Sequence, residues 1–223
     1  MNKRALIIGA GTYGEVYASY LNEAGYEVVG FLDDDLSKHG NKYTGIEVIG
    51  SIRELKEIGL FKNVSSVFCP LGNNRLRVKF LQYAAELGFE TPNYIHPSVN
   101  LAPNLKIGEK GIYILPHTVI MPYVTISNYC MISVNSVVSH HSYLKEGVFL
   151  SFGVNVGASL ILEKYTYVGI GATIMTGVKS LGENCLIGAG AVVIKDVPNN
   201  AIMAGVPAKV LKFKDTTKPL DKE

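Results

Sequence analysis

From about residue 99 onward an aliphatic side chain returns at every sixth position: Ile114, Ile120, Ile126, Ile132, Val138, Leu144, Leu150, Val156, Leu162, Val168 and Ile174. Leu101 and Ile107 precede this series, and after a one-residue slip it resumes at Leu181, Ile187 and Val193. Four positions after many of these stands a small residue, as at Cys130, Ser136, Ser142, Thr166, Ala172 and Ala191. A period of six fits neither the 3.6-residue helix nor the two-residue alternation of a strand. It fits a β-solenoid with a triangular coil, in which each hexapeptide supplies one side and one corner. The aliphatic residue then points into a narrow stacked core, and the small residue is expected to let the backbone turn the corner. Three hexapeptides close an 18-residue coil, so residues 99–198 stack a little over five coils.

The preceding residues have a different rhythm. Residues 4–8 read as a buried strand running into Gly9-Ala10-Gly11-Thr12-Tyr13-Gly14, then a helix over 15–24 closed by Gly25. A strand over 27–32 ends at Asp33-Asp34-Asp35; a helix over 51–58 precedes a strand over 65–69 and the turn Gly72-Asn73-Asn74. A helix over 76–87 stops at Gly88. Strands alternating with helices make a small parallel sheet. The organisation expected is an α/β Rossmann-like domain over 1–95, a β-helix over 96–212 and a disordered tail over 213–223 without function of its own.

Composition narrows the function. With 48% hydrophobic and only 18% charged residues, and 23 glycines, the chain suits a turn-rich β fold that buries apolar surface between subunits. A net charge of +2 and the lack of a basic run exclude a nucleic-acid partner. Cys69, Cys130 and Cys185 are widely spaced in apolar stretches, as expected of buried thiols in a reducing compartment rather than of a metal cluster. No stretch approaches the ~20 apolar residues of a membrane helix, and the apolar run after Met1 is too short for a signal peptide, so a cytoplasmic protein is expected.

Two places carry chemistry. Glycines at 9, 11 and 14 between a strand and a helix suit a backbone that approaches a phosphate at the helix N-terminus, with Asp33 at the end of the next strand. The same parts serve NAD in dehydrogenases, but the domain is too short for both halves of a dinucleotide fold. Among the five histidines, His39 lies in a polar loop, His96 at the domain junction, and His117 at a hexapeptide corner. His140 and His141 follow Ser136-Val137-Val138-Ser139, two and three positions after an inward aliphatic.

The hexapeptides, the N-terminal GxGxxG domain and the closing Ala204-Gly205-Val206-Pro207-Ala208-Lys209 together resemble the sialic acid O-acetyltransferase / sugar-nucleotide N-acetyltransferase family (NeuD/PglD type) of the hexapeptide-repeat acyltransferases. The resemblance covers the chain to about Lys212. It implies a left-handed parallel β-helix, a homotrimer with the active site between subunits, and acetyl-CoA as co-substrate without a metal. The acceptor it implies is the amine of a nucleotide-linked amino sugar, of the 4-amino-4,6-dideoxy kind, in polysaccharide or glycan biosynthesis. On the matching positions, His140 is the general base; Gly11, Thr12, Tyr13, Asp33, Asp34 and Gly72 hold the nucleotide sugar; Phe149, Ile170 and Ala189 meet acetyl-CoA. Backbone N–H groups at Gly157-Ala158 are the candidate oxyanion donors, and Lys209 is a candidate contact for a CoA phosphate. Three positions depart from the family: Tyr13 stands where it often has His, Phe149 where some relatives have His, and His141 where relatives often carry a carboxylate beside the base, with Glu146 or another subunit's acid as the candidate partner in its place.

Three alternatives stay open at this point. A hydroxyl acceptor, as in sialic acid O-acetylation, uses the same base. A zinc hydratase on the same helix would draw on His117, His140 and His141, although adjacent histidines on a strand point to opposite faces. A repeat scaffold sensing a nucleotide sugar would need no base.

Overall fold

The computed structural model describes residues 3–215. The chain divides after Asn93 into two units, Met1–Asn93 and Tyr94–Glu223; of the expected tail, residues 216–223 lie outside the described residues.

In the first unit, β1 (Lys3–Ile8) leads into α1 (Thr12–Glu23) and β2 (Tyr26–Leu32); β3 (Lys42–Tyr43) and β4 (Ile46–Gly50) form a hairpin; α2 (Leu55–Phe61), β5 (Ser66–Phe68) and α3 (Asn74–Glu86) follow. The sheet order is β3-β4-β2-β1-β5, parallel except for the β3–β4 hairpin. Leu6, Ile7, Ile8, Phe31, Leu32, Val67 and Phe68 are fully buried, as continuous apolar runs are when both faces of a parallel sheet are covered. Three strands were expected and five are present. The two extra ones are short, and β4 carries only Val48 and Gly50 as buried positions among polar or half-buried neighbours, so no clean alternation marks it.

The second unit is a left-handed parallel β-helix. Two-residue strands stack into faces of six and five strands, and a third face of eight that includes the closing antiparallel pair Ala201–Ala204 and Lys209–Phe213. Each coil lies on the next in an 18-residue register, Ile114 on Ile132 and Ile132 on Leu150. The inward aliphatics from Ile114 to Ile174 are no more than 2% exposed. The slip in the repeat falls between Ile174 and Leu181, where Gly177 takes φ +102°.

The corners work differently from the expectation. The residue that turns the chain stands three, not four, positions after the inward aliphatic: His117, Tyr123, Tyr129, Asn135, His141, Gly147, Gly153, Ser159, Tyr165 and Gly171 have φ between +59° and +70°. The small residue after it is folded inside the corner, where Cys130, Ser136, Thr166, Ala172 and Ala191 are fully buried. Several of these donate to a carbonyl of the next coil, as Ser136 Oγ does to Ser151 O at 3.0 Å and Ser142 Oγ to Gly157 O at 2.9 Å. Smallness is required there by volume, and the hydroxyl satisfies a carbonyl between coils.

Candidate active site

In the first unit the loops after β1, β2 and β5 meet at the carboxyl edge of the sheet. β1 lies between β2 and β5, so the chain leaves it in opposite directions on its two sides, the switch point at which open α/β sheets bind ligands. The three glycines of the first loop have separate reasons. Gly9 has φ +99°, and a side chain on it would run into Leu71; a side chain on Gly14 would run into the Gly9 carbonyl. Gly11 has an ordinary φ of −108° as the N-cap of α1, and a Cβ there meets nothing within 4 Å. Neither packing nor backbone strain inside the chain requires glycine at 11. Its bareness leaves open the approach to a helix end that no side chain caps, where backbone N–H groups favour an anion. Thr12 is exposed and Tyr13 half-buried beside it.

Asp33 and Asp34 are both engaged within the unit. Asp33 accepts the N–H of Ala10 at 2.9 Å, the N–H of Asp35 at 3.0 Å and Lys38 Nζ at 2.8 Å, which ties the glycine turn to the end of β2. Burial alone would raise its pKa, but Lys38 and the N–H donors of Asp35 and Ala10 outweigh burial and hold the carboxyl below its usual range. Asp34 Oδ1 accepts the N–H of Ile52 at 2.9 Å and borders a cleft of about 430 Å³ with Arg53, Lys79, Phe80 and Tyr83. His39, in the polar loop after β2, donates from Nε2 to the Asp33 carbonyl at 2.7 Å. Gly72 is exposed in the loop after β5. That loop is held from below by Arg77, a fully buried cation that donates to Leu71 O at 2.7 Å and to Asn74 Oδ1 at 2.9 Å. Arg77 was not singled out from the sequence, since an arginine in a helix is usually a solvated one.

In the β-helix, His140 and His141 occupy one corner and are both exposed. One coil further along the same edge stands Ala158, and Ser159 N donates to His140 O at 3.0 Å. The candidate oxyanion donors are corrected here. The N–H of Gly157 is bound to Ile174 O at 2.9 Å as a rung of the parallel ladder, and that of Ala158 to the Thr176 hydroxyl Oγ1 at 3.2 Å. His140 and His141 do not point to opposite faces, as adjacent residues of a strand would: they stand at a corner, and their Nδ1 atoms are 3.0 Å apart. His117 lies on a different edge of the prism, three residues beyond the strand Tyr113–Ile114. Among the described residues no group of three or more His, Cys, Asp or Glu is placed to hold a metal.

Ile170 and Ala189 are exposed on one edge in successive coils, with Gly190 N bound to Ile170 O at 2.8 Å. This edge is not that of His140, so the described chain does not bring the two sets together. Phe149 is 2% exposed, with its ring edge-on to Tyr167 at 5.1 Å, and presents almost no surface. The aromatic that continues the Ile170 column is Phe152, which is 40% exposed and accepts at its carbonyl from Gly171 N at 2.8 Å. Lys209 is exposed in the closing hairpin. The buried thiols are poor nucleophiles: burial pushes Cys69 up to about 12 and Cys185 up to about 11.

The family described as the PglD N-terminal domain matches residues 4–84. A histidine-to-alanine variant of GDP-perosamine N-acetyltransferase from Caulobacter crescentus, solved in complex with CoA and GDP-perosamine, is similar with a TM-score of 0.85 and 28% identity over 93% of this chain and 96% of that one. The acetyltransferase domain of PglB from Neisseria gonorrhoeae FA1090 is 30% identical over 94% of this chain and 100% of that domain, with a TM-score of 0.72. A 2,3,4,5-tetrahydropyridine-2,6-dicarboxylate N-acetyltransferase from Enterococcus faecalis is 44% identical over 62 residues. The chain covers only 26% of that protein, about a quarter of its length. No helix among the described residues is long and apolar enough to cross a membrane.

Proposed function

The chain belongs to the sialic acid O-acetyltransferase / sugar-nucleotide N-acetyltransferase family (NeuD/PglD type) of hexapeptide-repeat acyltransferases, and on that premise we propose that it transfers the acetyl group of acetyl-CoA to the amine of a nucleotide-linked sugar. The acceptor we infer is a 4-amino-4,6-dideoxy sugar nucleotide. The observation that carries this reading is the likeness, over almost the whole chain, to an N-acetyltransferase solved with CoA and GDP-perosamine. The bare glycine turn at the switch point of the first unit fits a diphosphate, and the exposed imidazole on the β-helix edge fits a base.

Amide formation from a thioester needs one proton taken and one returned. The amine nitrogen attacks the acetyl carbonyl carbon as His140 Nε2 removes an N–H proton. The C–S bond then breaks, and the imidazolium returns the proton to the CoA thiolate, leaving amide and free thiol. No acyl-enzyme is needed, in keeping with buried, protonated cysteines. Because His140 and the Ile170–Ala189 column stand on different edges, we place the complete site between copies of the chain in a homotrimer, with acetyl-CoA along the Phe152–Ile170–Ala189 edge. Three buried thiols suit a reducing compartment, and we assign the enzyme to the cytoplasm.

The test is thiol release from acetyl-CoA against UDP-, dTDP- and GDP-linked 4-amino sugars and against sialic acids, with His140→Ala alongside. Turnover of one amino-sugar nucleotide, reduced on the order of 10²- to 10⁴-fold in the variant, is the expected result. Turnover of a hydroxyl acceptor alone would move the protein to the O-acetylating branch, and undiminished turnover in His140→Ala would remove His140 from the chemistry.

A further inference from the structure

His140 Nδ1 and His141 Nδ1 are 3.0 Å apart, with the rings nearly perpendicular at 88°. Two imidazole nitrogens at that separation share one proton: two lone pairs would repel and two N–H groups would collide, so one ring donates and the other accepts. The His141 side of the pair is fixed by contacts that do not involve His140. Its backbone turns the corner at φ +61°, its N–H reaches Pro122 O at 3.3 Å, and its ring stacks on Tyr123 with centroids 4.7 Å apart at 30°. A base that takes a proton at Nε2 must keep its own proton on Nδ1, and that proton needs an acceptor.

We propose that His141 is a positioning residue whose neutral ring accepts the Nδ1–H of His140, holding the His140 lone pair on Nε2. The inference rests on the reading of His140 as the general base. The group that this chain places at Nδ1 of His140 is a second imidazole held by an aromatic stack. The task then divides cleanly: Tyr123 and the corner backbone orient His141, and His141 sets the tautomer and tilt of His140. The acceptor of the pair carries no negative charge, so its contribution is orientation and tautomer rather than charge stabilisation of the imidazolium.

The β-helix supplies its own well-tolerated controls. Tyrosine already occupies the same corner conformation at 123, 129 and 165, and asparagine at 104, 135 and 184. His141→Phe therefore keeps the corner and the stack on Tyr123 while removing the acceptor, and His141→Asn keeps an acceptor oxygen close to the place of Nδ1. The expected result for His141→Phe is a kcat lower on the order of 10- to 100-fold, a part of the ~10²–10⁴ that a general base contributes, with KM for both substrates within about two-fold. His141→Asn is expected to recover most of that loss. In ¹⁵N-histidine NMR, His140 should be the Nδ1–H tautomer in the native protein and in His141→Asn, and lose that preference in His141→Phe. An undiminished kcat in His141→Phe, or an equal loss in both variants with the His140 tautomer unchanged, overturns the assignment. Inactive His140→Ala beside a fully active His141→Phe rejects this role alone; an active His140→Ala rejects the base and the pairing together.

Discussion

Asp33 illustrates how one carboxylate can be read two ways. From the sequence it is a contact for the nucleotide sugar at the end of a strand; in the fold it is the clamp between β2 and the glycine turn, with two backbone N–H donors and Lys38 on its oxygens. Its folded pKa lies below the ordinary value, so its stabilising contribution is present above the unfolded value of about 3.9 and is lost as pH falls through the lower, folded value. Asp33→Asn is expected to cost about 1–3 kcal/mol at neutral pH and to flatten the acid limb of stability below about pH 4; urea unfolding across that range measures both. The same scale explains what the sequence could and could not reveal about the site. Phe152 was within reach of arithmetic, since one 18-residue coil back from Ile170 lands on it, whereas the family match pointed to its buried neighbour Phe149. The approach of His140 to His141 was not within reach, because the direction of two successive side chains depends on whether they sit in a strand or at a left-handed corner.

At the level of the element, the β-helix was legible because its core is one-dimensional: one inward side chain per hexapeptide, stacked on identical positions of the neighbouring coil, writes its period directly into the chain. The corner was legible in place but not in mechanism. Small residues mark it, yet the left-handed backbone belongs to the residue before, and that position accepts Tyr, His, Asn, Ser or Gly and leaves no uniform signature. Side chains branched at Cβ are absent from those corners and are the ones the conformation disfavours most. Gly153, at φ +65° with open space around its Cβ direction, separates backbone strain from crowding. Gly153→Val is expected to destabilise the β-helix by about 1–3 kcal/mol, and Gly153→Asn by no more than a few tenths, since asparagine adopts this region with little penalty. Equal losses in thermal denaturation would mean that contacts, not φ, set the corner.

For the molecule as a whole, the proposed function divides the two substrates between the two units, and that division has a kinetic signature. The open space over Gly11 belongs to the first unit and serves neither packing nor backbone geometry; the exposed Ile170 on the β-helix edge belongs to the second and contributes nothing to its core. Side chains placed at these points should therefore leave each unit folded and obstruct one substrate only. Gly11→Val is expected to raise KM for the sugar nucleotide on the order of ten-fold or more, the ~1.4 kcal/mol that a displaced phosphate contact readily costs, while KM for acetyl-CoA stays within about two-fold. Ile170→Asp should do the reverse, by placing a carboxylate on the edge proposed for an anionic, partly apolar co-substrate. Circular dichroism melts of the two variants verify that folding is preserved. Reciprocal KM changes assign one substrate to each unit; a Gly11→Val protein with unaltered KM for every sugar nucleotide would mean that the glycine turn is an architectural feature and that the acceptor is held elsewhere.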